Sequence, residues 1–124
     1  MLEKTYAETL ATLEEVVAEA GEDFKYQDHY GNLCHYSVDG EPACIVGRVL
    51  AKWGVLPESA DSRAEGPTVG MFSSELLGHL EKLGILKVDE ASNRLLQEAQ
   101  YAQDGTFKEP LTWGGVIEYA KGIV

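Results

Sequence analysis

The chain of 124 residues carries 21 aspartates and glutamates against 10 lysines and arginines, a formal charge of −11, and 44% of it is hydrophobic. That length suits a single domain, residues 1–124, with a core able to fold unaided, and the composition argues against disorder. The charge disfavours direct binding to nucleic acid or to an anionic membrane surface, and no apolar run approaches the ~20 residues that span a bilayer.

Tyr6, Leu10, Leu13 and Val17 recur at helical spacing and predict a first helix over residues 3–20 that stops at Gly21, with Glu8, Glu15, Glu19 and Glu22 along its outer stripe. Between Asp23 and Gly40 that period gives way to alternating aromatic, β-branched and polar residues, which predict a short hairpin with its turn near Gly31-Asn32 and its second strand closed by Asp39-Gly40. Pro42 suits the first position of a second helix and Gly54 its end at positive φ, with Ile45, Val46, Val49, Leu50 and Trp53 on one buried stripe. Arg48 and Lys52 share the outward face, where nearby carboxylates can pair with them.

Residues 56–67 lack periodicity and read as a loop. Phe72, Leu76, Leu77, Leu80 and Leu83 mark a third helix that starts near Ser73 or Ser74 and ends at Gly84, after which Ile85–Val88 is too short to assign. Asp89 can cap a fourth helix with Leu95, Leu96, Ala99 and Ala102 inward and Asp104-Gly105 as its exit, and Thr112 a fifth with Trp113, Val116, Ile117 and Ala120 inward. The expected fold class is therefore mainly α (α+β), about five helices around one core with a short β-hairpin between helices 1 and 2.

Three strings stand out: Glu41-Pro42-Ala43-Cys44-Ile45-Val46-Gly47, then Ala99-Gln100-x-x-Gln103-Asp104, then Thr112-Trp113-Gly114. Together they resemble a group of small proteins of actinobacterial phages that share a Pro-x-Cys-hydrophobic-Val-Gly helix start, an Ala-Gln-x-x-Gln-Asp segment and a Thr-Trp-Gly turn. The resemblance covers roughly residue 38 to the end. It implies a phage origin and the host cytoplasm, and attaches no activity.

Cys44 is the one plausible nucleophile, because the first turn of a helix favours a thiolate. Its surroundings faintly resemble the Cys-Ser-Gly-Leu-Val helix start of cell-wall cysteine peptidases, but the downstream histidine, His79, falls inside the third helix and His35 lies upstream. Free cysteines are more often buried structural thiols. The two cysteines, Cys34 and Cys44, lack CxxC spacing and nothing at the start resembles a signal peptide, so both thiols are expected to stay free in a reducing cytoplasm, although ten residues of separation permit a bridge. A zinc shell from His29, Cys34, His35 and Cys44 is opposed by the alternation of Cys34 and His35 on a strand.

The acidic stripe of the first helix could imitate a phosphate backbone, but the remaining carboxylates are scattered as on a solvated surface. Gln97, Gln100, Gln103 and Asp104 form a polar face whose amides can bond to neighbouring backbone or to a partner. Nucleotide-binding and common hydrolase motifs are missing. No catalytic, metal-binding or cofactor-binding residue is assigned. The expected function is that of a non-catalytic, phage-type accessory protein binding a host or phage protein in the host cytoplasm, with a Cys44 hydrolase and an acidic nucleic-acid-mimicking inhibitor as alternatives.

Overall fold

The structure, a computed structural model, describes residues 1–25, 36–38, 40–61, 72–104 and 111–123. In chain order these form β1 (Leu2–Lys4), α1 (Tyr6–Ala20), β2 (Ser37–Val38), β3 (Glu41–Pro42), α2 (Ile45–Lys52), a 3-10 turn (Glu58–Ala60), α3 (Ser73–Lys82), β4 (Leu86–Val88), α4 (Glu90–Gln103) and α5 (Trp113–Ile123). The molecule is thus mainly helical, and a short β-hairpin, β2 against β3, lies between α1 and α2.

α4 is the central helix and packs against α1, α2, α3 and α5. The reason is its sequence: Leu95, Leu96, Ala99 and Ala102 are all fully buried, and alanine at two of these positions lets neighbouring helices approach closely. Leu13, Val16 and Val17 of α1, Ile45, Val46, Val49 and Leu50 of α2, Leu76, Leu77 and Leu80 of α3, and Trp113, Val116, Ile117 and Ala120 of α5 complete the core. Gly54 and Gly84 follow α2 and α3 at φ +72°, where a side chain would be strained, so both helices stop where expected.

Several expectations are corrected. Residues 2–4 are not helical: they pair in parallel with β4, Leu2 opposite Leu86 and Lys4 opposite Val88, which also assigns the short stretch after Gly84. The described hairpin spans Ser37 to Pro42, with Ser37 opposite Pro42 and Val38 opposite Glu41, so Gly40 lies in its turn and does not follow a second strand. The expected turn at Gly31-Asn32 lies outside the described residues. Pro42 belongs to β3, and the helix begins three residues later because Cys44, not Pro42, supplies the cap. Phe72 and Leu83 sit just beyond the two ends of α3 and are 67% and 59% exposed, so they leave the stripe that buries the leucines between them. Trp53 is only partly buried and donates its indole N–H to Thr12 Oγ1 at 3.0 Å.

Candidate functional site

The first four N–H groups of a helix have no partner within it. In this fold α4 and its cap supply side-chain acceptors for the first N–H of three other helices. Asp89 caps its own helix by accepting from Ser92 N–H at 2.8 Å, and its other oxygen accepts from Tyr6 N–H, the first of α1, at 2.9 Å. Gln103 Oε1 accepts from Ile45 N–H, the first of α2, at 2.7 Å, and Gln100 Oε1 from Ser73 N–H, the first of α3, at 2.8 Å. Both of those bonds are buried, where an unmet N–H is most costly. Gln100 also donates through Nε2 to the Tyr36 hydroxyl at 3.4 Å. Burial pushes the Tyr36 phenol far above its ordinary range, opposed by the bond to Gln100 and reinforced by the charges of Asp104 and Glu75.

The same principle accounts for the other two strings. Cys44 Sγ accepts from Gly47 N–H at 3.4 Å, and Tyr36 O accepts from Ala43 N–H at 3.0 Å. A Cβ added to Gly47 would lie 2.0 Å from Tyr36 O, so this position has to be glycine. At α5, Trp113 N–H and Gly114 N–H donate to the carbonyls of Phe24 and Glu22 at 2.7 and 2.9 Å, and Thr112 Oγ1 accepts from Gly115 N–H at 3.1 Å. The three recognisable strings therefore hold the starts of helices in place.

Cys44 is fully buried and stands in a disulfide, which corrects the expectation of a free thiol. A buried, bonded sulfur cannot attack a substrate, so the geometry gives the hydrolase reading no nucleophile. The chain's other cysteine, Cys34, lies outside the described residues, as do His29 and His35, the remaining members of the proposed zinc shell. His79 is in the last turn of α3. Among the described residues no group of three metal-ligating side chains is gathered, and no helix is long and apolar enough to cross a membrane.

The acidic stripe is largely engaged within the molecule. Glu8 closes a capping box with Thr5 and lies 4.0 Å from Lys4, while Lys52 bridges Glu15, at 3.2 Å, and Glu19. Among the described residues Arg48 has no carboxylate partner like those of Lys52. Its Nε donates to Ala43 O at 3.1 Å and its guanidinium lies 4.8 Å from the Trp113 ring and 5.2 Å from Phe24.

A cleft of about 470 Å³ lies between the start of α3 and the end of α4, and the described residues that line it are Phe72, Ser74, Gln97, Gln100, Tyr101 and Asp104. Phe72 and Tyr101 are 67% and 48% exposed, unusual for aromatic side chains, which fold into cores when they can. Gln97, Tyr101 and Asp104 recur at helical spacing, so they line one flank, while Gln100 forms the floor and is tied down by its two bonds. Sequence reasoning found the glutamines and Asp104 but assigned Phe72 to a buried stripe. Its place at the helix start, where it occupies the N-cap position with no side-chain cap bond, was the available signal.

No known protein family, no curated protein and no solved structure matches this chain.

Proposed function

We propose that this protein is a non-catalytic accessory protein of the phage type that acts by binding another protein, and that the Phe72–Tyr101 cleft is its contact surface. The observation that carries the reading is the pair of exposed aromatic rings on a rigid floor. Aromatic side chains are enriched at interface cores, where they bury large area at low entropic cost. The residues that could have suggested chemistry, Cys44, Gln100 and Gln103, are all engaged in holding helix ends.

The similarity of the three strings to actinobacterial phage proteins supports a phage origin and action on a host or phage protein in the host cytoplasm. That compartment reduces accessible disulfides, whereas the disulfide-bonded Cys44 is fully buried, which favours its persistence. The test is capture from lysate of phage-infected cells with the wild-type chain and with the Phe72→Ala/Tyr101→Ala variant. A protein retained by the first and lost by the second is expected, and identical captures by both would overturn the reading.

A further inference from the structure

β1 and β4 form a two-stranded sheet whose register sorts their side chains between two faces. Leu2, Leu86 and Val88 turn toward the core, whereas Glu3 and Lys87, opposite each other in the register, are exposed on the outer face. One position back, where Leu2 N–H donates to Ile85 O at 3.1 Å, Met1 falls opposite Ile85, and the two are 64% and 39% exposed. Leu83, two residues earlier at the end of α3, is 59% exposed. We infer that a second copy of this chain docks on the outer face of the sheet, about a two-fold axis that runs between the two strands and parallel to them. This goes beyond the binding reading above and uses no residue of the cleft.

The order of charges selects a second copy as the occupant. Among the described residues neither the Glu3 carboxylate nor the Lys87 ammonium has an ion-pair or hydrogen-bond partner, although the two residues are register partners. A half-turn about an axis midway between the strands carries β1 of one copy over β4 of the other. Glu3 then meets Lys87 of the second copy and Lys87 meets its Glu3, while Met1 and Ile85 exchange in the same way. The face is therefore complementary to itself in charge and in apolar character. A wholly acidic or wholly basic partner would satisfy one strand and repel the other, and a purely apolar one would desolvate Glu3 and Lys87 without return. Single exposed apolar residues are ordinary, but grouped ones rimmed by charge mark interaction sites. Here Phe72 and Tyr101 line the cleft, and Met1, Leu83 and Ile85 lie at this sheet. β1 leads into α1 and β4 joins the end of α3 to the start of α4, so the strands and the elements they join are all described. The face is smaller than a standard interface of about 20–30 residues a side and each copy carries −11, so a dissociation constant of about 100 µM is expected.

The test is sedimentation equilibrium of the full chain from about 10 µM to about 1 mM, a range that brackets the expected constant. Wild type should pass from monomer to dimer across it. Glu3→Lys and Lys87→Glu each set like charges opposite one another across the axis, and each should weaken the dimer about tenfold or more. The two together should restore it to within about threefold of wild type. Glu3→Lys makes the chain less negative, so a dimer lost there is not lost to net charge. Carbodiimide coupling in a mixture of light and heavy-nitrogen-labelled wild-type chains reads the same contact without substitution: Glu3 should be joined to Lys87 between a light and a heavy chain. A chain that stays monomeric throughout, a dimer indifferent to both single reversals, or coupling confined to one chain overturns the inference. Phe72→Ala/Tyr101→Ala should leave the dimer intact. A dimer lost in that variant and kept in the charge reversals overturns the inference and makes the second copy an occupant of the cleft. Capture from lysate decides the cleft separately, so the two readings fail independently.

Discussion

Gln100 and Gln97 sit one turn apart on α4, yet Gln100 is 6% exposed and bonded to Ser73 and Tyr36, whereas Gln97 is exposed beside Phe72 and Tyr101. The inner face of this helix end, Gln100 and Gln103, meets backbone N–H groups that no helix can satisfy for itself. The outer face, Gln97, Tyr101 and Asp104, meets a cleft. Residue type does not separate the two. What separates them is whether the facing group is an orphaned donor, in which case the amide serves the fold, or an open surface, in which case it is available to a partner.

The sharpest way to break this comparison is at the inner face. In Gly47→Ala the new Cβ would fall 2.0 Å from Tyr36 O and 2.8 Å from its Cα, all backbone atoms with no rotamer to escape into. The second helix must move away from Tyr36, and with it Ile45 from Gln103. A loss of more than about 3 kcal/mol is expected, a large share of the margin of a domain this size. Urea unfolding followed by circular dichroism reads it, and a variant with an unchanged midpoint would show that the close approach is not needed.

Next come Gln103→Leu and Gln100→Leu, each keeping bulk while leaving a buried N–H, Ile45 or Ser73, without its acceptor. Each should cost roughly 1–3 kcal/mol in the same measurement. Hydrogen exchange should locate the loss, at the start of α2 for Gln103→Leu and of α3 for Gln100→Leu. Loss spread evenly over both helices would mean that the two glutamines are not separate clamps.

These bonds also mark where sequence reading stops. The helices were legible because leucines and alanines repeat at their period, and ends such as Asp89, Thr112 and Gly54 carry their own chemistry. The parallel pairing of β1 with β4 was not, because Leu2 and Leu86 are brought together only by the packing of the helices between them. Pro42 misled because a proline fits both a first helical position and an edge strand, and only the Cys44 cap decides between them. That Gln100 and Gln103 bond to backbone was among the readings open to them; that they clamp two different helices depends on tertiary contacts. The cleft was half legible, since Gln97 and Asp104 were visible as a polar face while Phe72 looked like core.

A smaller effect is expected at the other end of α4. Asp89 is held below the ordinary carboxylate range, first by the Ser92 side chain and also by the N–H groups of Ser92 and Tyr6. A depressed carboxylate contributes stability that is present above its unfolded pKa, near 4, and is lost as pH falls through its lower folded value. Asp89→Ala should cost about 1 kcal/mol at neutral pH, as loss of a helix cap does. The difference from wild type should shrink on acidification below pH 4. A gap that persists undiminished at pH 2 would mean that Asp89 acts by packing and not by charge.

The smallest stability effect belongs to the outer face, and its smallness is the point. Phe72 and Tyr101 leave most or much of their surface in water, so Phe72→Ala/Tyr101→Ala should move the unfolding midpoint by no more than about 0.5 kcal/mol. If these rings contribute instead to the fold, as the leucines of α3 do, the double variant should cost several kcal/mol. The two faces then make opposite demands on one experiment: leucine at Gln100 or Gln103 lowers stability, and alanine at Phe72 and Tyr101 removes a partner from a protein that unfolds as before. Lost capture together with a lowered midpoint would erase the distinction, because the rings would then be shaping the cleft from within.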